Sequence, residues 1–267
     1  MTHRRSLLTF VVLTFLISWI AWGMLAILGT EPGINLGGVL WLLGGLGPPI
    51  AAVVLVQRED GPLLRELFAR LLQWRVGWRW YAVALLFPGA VVSMTLFLDS
   101  QVRGLTTPIP DPEFVLVFIG LLIASSIIGG GLEEIGWRGF MLPRVQASFG
   151  ALTASIVVGV IWMLWHAPLF VVPGAVQTDF PVLPFVMQGI ALAVVFTWVY
   201  NSTRGSVLLV VILHGAFNAW LSTVWLLRED MDPITIWVMA VLVCLVAIGV
   251  VVVYGTEHLS RMDRQVA

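Results

Sequence analysis

"MTHRRSLLTFVVLTFLISWIAWGMLAIL", residues 1–28, sets Arg4 and Arg5 ahead of about 22 apolar residues. At ~1.5 Å of rise per residue, a helix of that length crosses a ~30 Å hydrocarbon core. The run exceeds the ~7–15 residues of a signal-peptide core and has no clear A-x-A cleavage site, so it reads as a retained first span.

The same measure finds eight apolar stretches, near residues 7–28, 36–56, 80–98, 114–146, 151–172, 183–200, 206–225 and 235–254. The 267 residues are 59% hydrophobic and 11% charged, with a mean hydropathy of +0.98. Soluble domains carry about 25% charged residues. The expected fold is therefore all-α, a polytopic transmembrane helix bundle of about eight spans in one domain (1–267), with any active site between helices inside the membrane. Spans four to seven, 114–225, form its functional part.

A net charge of −1, with no basic run and no nucleic-acid module, excludes nucleic acid as a ligand. The single cysteine, Cys244, lies in "WVMAVLVCLVAIGVVVVY" (237–254) and reads as a small buried apolar residue without an intrachain partner.

Arginine supplies all 14 basic residues. Arg4, Arg5, Arg58, Arg65, Arg70, Arg75, Arg79, Arg138, Arg144, Arg204, Arg261 and Arg264 fall on one side of the expected topology or in helix ends facing it; Arg103 and Arg228 fall on the other. The positive-inside rule then places both termini in the cytoplasm, as for a multi-pass protein of the plasma membrane.

Two segments depart from plain spans. In 57–79, a cytoplasmic stretch, Leu63, Leu64, Leu67, Leu71 and Trp74 recur at helical intervals with Arg65, Glu66 and Arg70 on other faces, so an interfacial amphipathic helix is expected against the headgroups. "WLLGGLGPPI" (41–50) is a Gly/Pro break inside span two, tolerated where neighbours or water satisfy the backbone. It serves either as a packing kink or to line a cavity.

Ionisable groups at membrane depth are costly and mark functional sites. Here they are Glu133, Glu134, Arg138, His166 and His214, with Asn218 as a neutral companion. If spans four and five form a hairpin turning at "ASFG" (147–150), Glu133 lies 16 residues before Phe149 and His166 lies 17 after it, which sets them at one depth. Glu134 and Arg138 are i,i+4 and pair on one face. Glu133 is turned about 100° away, without a positive partner in cis. One carboxylate thus reads as structural and the other as free for general acid–base work if water reaches it. The alternative is one buried ion cluster that holds the helices together.

Pro168 disfavours helical geometry just after His166 and opens a local break, while Trp162, at i−4, can hold the imidazole by stacking. His214 and Asn218 are again i,i+4, two donors on one rigid stripe as a developing oxyanion requires, or else interhelical glue. Gly129, Gly130 and Gly131 read as packing residues.

In this order, "EEIGWRGF", "WMLWHAPLF" and "HGAFN" resemble the CPBP family of membrane proteases, which includes CAAX prenyl endopeptidases and bacteriocin-processing or immunity proteins. The motifs cover residues 133–218, about a third of the chain. The family usually has phenylalanine where this chain has Trp162, a change that keeps an aromatic wall. The resemblance implies Glu133 and His166 as a water-activating pair and His214 with Asn218 as the oxyanion site, with Glu134 and Arg138 completing the first motif. It implies an intramembrane glutamic endopeptidase with no cofactor, acting on a peptide or protein substrate at the lipid bilayer.

Three alternatives stay open. Two histidines and a glutamate suit a zinc protease, although no HExxH is present and asparagine is a poor zinc ligand. A proton-linked transporter would use the same groups as a relay, but no inverted repeat of interrupted helices is evident. A non-catalytic scaffold or immunity protein would use them for binding.

Overall fold

The computed structural model describes residues 3–58, 62–104, 112–228 and 232–266. Among them every regular element is helical: α1 His3–Leu28, α2 Leu36–Gly45, α3 Gly47–Arg58, α4 Pro62–Leu71, α5 Trp78–Arg103, α6 Phe114–Ile127, α7 Leu142–Gln146, α8 Ala151–Trp165, α9 Val182–Ser202, α10 Val207–Arg228 and α11 Pro233–Tyr254. Among the described residues, seven helices are long and apolar enough to cross a membrane, and the count becomes eight when α2 and α3, bent by 52°, are taken as one span.

The bent pair runs antiparallel along α1. Trp22 Nε1 donates to Trp41 O at 3.2 Å, Ser18 Oγ donates to Gly44 O at 2.6 Å, and Gly47 packs on Ser18 and Thr14. As α1 numbers fall from 22 to 14, the partner numbers rise from 41 to 47. The chain thus keeps to α1 on both sides of the break.

Span four differs from the expectation of one helix over 114–146. α6 stops at Ile127, a 3₁₀ turn covers Gly130–Leu132, and a π-helical turn covers Ile135–Met141 before α7. Three successive glycines carry no side chain to stabilise a helix and leave the backbone free to tighten. The widened turn closes with Leu142 N–H donating to Trp137 O, and such π turns recur at functional sites.

Lipid supplies no hydrophobic drive between helices, so close packing must hold them. An aromatic column does this around α1: Phe10 stacks on Phe140 at 4.9 Å and meets Trp137 edge-on at 5.7 Å, Trp137 meets Trp165 at 5.8 Å, and Trp165 meets Trp22 at 4.6 Å. The π turn is thus clamped between α1 and the end of α8. The C-terminal tail adds a polar latch at α7, where Gln146 Nε2 donates to Gln265 O at 2.7 Å and Asn201 Nδ2 donates to Gln146 Oε1 at 2.8 Å.

In 57–79, Glu59, Asp60 and Gly61 lie outside the described residues. Within α4, Leu67 is buried against Gly139, Leu64 and Leu71 are partly buried, and Arg70 Nη1 donates to Tyr200 Oη at 2.6 Å. Phe68, Leu72 and Trp74 face outward.

Candidate active site

Glu133 follows the 3₁₀ turn and Glu134 opens the π turn, so a break in span four, and no regular helix face, presents the two carboxylates. Both are buried, Glu134 completely. Arg138 Nη1 donates to Glu134 Oε1 and Oε2 at 2.9 and 2.8 Å, as the i,i+4 spacing requires. The guanidinium lies over the rings of Trp162 and Phe196, with Cζ 5.1 and 4.8 Å from their centroids. Cation–π contact steadies a charge that would otherwise be costly so far from water.

Glu134 has a second partner that spacing does not reveal. Its Oε1 accepts from His214 Nδ1 at 2.8 Å, across from α10. A carboxylate paired with arginine can only accept, so the His214 proton sits on Nδ1 and Nε2 is the free nitrogen. Nε2 points at Gly130, where an added Cβ would collide with it and come within 2.9 Å of Asn218 Nδ2. Gly130 is therefore a packing residue, as its sequence suggests, but what it packs against is the site itself.

Glu133 makes no ion pair among the described contacts; its Oε2 accepts from Trp162 Nε1 at 2.8 Å. The same tryptophan's carbonyl takes His166 Nδ1 at 2.8 Å. A carbonyl only accepts, so this histidine also carries its proton on Nδ1 and offers a lone pair at Nε2. His166 caps α8, and the chain continues as a 3₁₀ turn over Ala167–Val171, the break expected from Pro168. The Trp162 ring meets His166 edge-on at 5.6 Å and His214 at 5.3 Å, so it orders both imidazoles by edge contact and not by face stacking.

Glu133, Trp162, His166, His214 and Asn218 all line one cavity of about 600 Å³. Its remaining wall is largely apolar, with Leu121, Phe185, Leu192, Phe217 and Trp225 among the contributors. Span four is broken, yet Glu133 and His166 meet one residue, Trp162, the first at its indole and the second at its carbonyl. Glu134 and Arg138 stand behind the wall. Among the described residues no three His, Cys, Asp or Glu side chains gather as a metal-holding group.

Residues 114–220 match the family model described as type II CAAX prenyl endopeptidase Rce1-like. A protein of Methanococcus maripaludis named CAAX prenyl protease 2 is 26% identical over 224 residues, covering 77% of this chain and 80% of that protein. The matched stretch contains every residue of the polar cluster.

Proposed function

We propose that this chain, similar to CAAX prenyl endopeptidases, is a membrane protein of that kind and an intramembrane endopeptidase of glutamic type. The observation that carries the reading is Trp162, which hydrogen-bonds Glu133 through its indole and His166 through its carbonyl. It holds a carboxylate and an imidazole lone pair beside one cavity.

A water between them donates one hydrogen bond to Glu133 and one to His166 Nε2. Glu133 takes its proton as the water oxygen bonds to the scissile carbonyl carbon. The oxyanion is received by the Asn218 amide and by His214 Nε2, which donates when the ring carries both protons, a form that the Glu134 carboxylate on Nδ1 balances. When the C–N bond breaks, Glu133 passes its proton to the leaving amine. No step calls for a metal.

The apolar wall beside polar groups suits a membrane-associated or lipidated substrate, and the name of the Methanococcus relative points to a prenylated Cys-aliphatic-aliphatic-X tail. The arginine distribution supports cytoplasmic termini in a plasma-membrane protein.

Purified protein in lipid nanodiscs, given an S-farnesylated Cys-aliphatic-aliphatic-X peptide, tests this reading. Wild type is expected to release the C-terminal tripeptide while folded Glu133→Gln does not. Equal release by both would remove Glu133 from the chemistry. Stoichiometric zinc whose removal abolishes cleavage would favour a metalloprotease instead, and no cleavage of this or any membrane peptide would favour a binding scaffold.

A further inference from the structure

The Gly/Pro break between α2 and α3 has no part in the chemistry above, yet Gly45 lines the same cavity as Glu133 and His166. A glycine can line a cavity only with its main chain. The two residues placed to close a helical turn onto the Gly45 carbonyl are Pro48 and Pro49, which carry no N–H. The next amide, Ile50, donates to Leu46 O at 3.0 Å. The neighbouring Gly44 carbonyl is served by Ser18 Oγ at 2.6 Å and by the Leu46 amide. Consecutive prolines thus strip the donors from one carbonyl, while a serine on α1 attends to the one before it.

Backbone left without a partner at membrane depth is tolerated where it lines a cavity, and there it is free to bind. Gly45 is only partly buried, and the space where its Cβ would stand is open to 4 Å. We infer that the Gly45 carbonyl is a substrate-positioning acceptor, which takes a main-chain N–H of the peptide bound in the cavity. This rests on the endopeptidase reading and adds to it how an extended substrate is held independently of its side chains. The Pro-Pro pair is what keeps the acceptor available.

The test uses full-length Glu133→Gln in nanodiscs, so that binding is read without turnover. The probe is the S-farnesylated Cys-aliphatic-aliphatic-X peptide, made also as a series in which one amide at a time is replaced by an ester. An ester removes one N–H donor, and losing one such bond is expected to weaken binding about three- to tenfold at one position of the series. Pro49→Ala restores an N–H one turn after Gly45 and is expected to weaken the all-amide peptide and to abolish the difference between it and that ester.

If no ester position weakens binding, or if Pro49→Ala keeps the same sensitivity as its parent, the inference is overturned. Should Pro49→Ala fail to fold, the ester series on its parent decides alone. Cleavage by wild type without any ester sensitivity in binding would leave the protease reading intact and remove the Gly45 role. Ester-sensitive binding that Pro49→Ala abolishes, with no cleavage by wild type, would do the reverse. A peptide that neither binds nor is cleaved counts against both.

Discussion

Glu134 Oε1 accepts a hydrogen bond from His214 Nδ1 at 2.8 Å, joining residues 80 positions apart while Arg138 holds both oxygens of the same carboxylate. The pairing fixes which nitrogen of His214 faces the cavity. It also makes Glu134 the connection between the ion pair of the π turn and the stripe of α10.

Removing one partner of a buried ion pair leaves the other charge uncompensated, a loss of about 3–5 kcal/mol. Arg138→Ala is expected to destabilise by that order, read as a lower thermal midpoint in detergent and less protein in the membrane. An unchanged midpoint would mean that Glu134 does not depend on Arg138.

Gly130→Ala sets a methyl group against His214 Nε2 and Asn218 Nδ2. Displacing catalytic groups by about 1 Å can cost on the order of 10² in rate, so turnover should fall at least that far in protein that still folds. Gly23→Ala, with nothing within 4 Å of the added atom, should match wild type in the same assay.

Trp162→Phe keeps the ring and the carbonyl that holds His166 but loses the donor to Glu133. A hydrogen bond to a charged group is worth roughly 1.5–3 kcal/mol. Turnover about tenfold or more below wild type, with KM little changed, is expected. Trp162→Ala also removes the packing of both imidazoles, and an aromatic-to-alanine truncation costs about 3–5 kcal/mol; it should lower the thermal midpoint where Trp162→Phe does not.

Asn218→Ala removes one of the two proposed oxyanion donors, expected to cost about 10²–10³ in kcat with the fold retained. If kcat held and only KM rose, Asn218 would belong to substrate binding.

Membrane character and the approximate span count could be read from apolar run lengths, and the Glu134–Arg138 pair and the His214–Asn218 stripe from i,i+4 spacing. These are local properties of a helix. The bond from Glu134 to His214 was out of reach because it depends on how α10 sits against the π turn. The break in span four had a signal, the run Gly129–Gly131, but an apolar average across 114–146 hides it. At Trp162 the aromatic wall was legible; the indole N–H and the carbonyl were not, since their partners depend on a neighbouring segment and on how α8 ends at His166. The α4 stripe has the period of a lipid-facing helix, yet Leu67 is buried on Gly139, and periodicity alone does not say which apolar medium a face meets.

The most direct measurement compares new protein and peptide ends in membranes of cells expressing wild type with those expressing Glu133→Gln at equal folded level. Ends that appear with wild type and vanish with the substitution are the expected result, and they would name the substrate as well. Ends that persist unchanged with Glu133→Gln, in the native host as in a foreign one, would contradict an endopeptidase built on this glutamate.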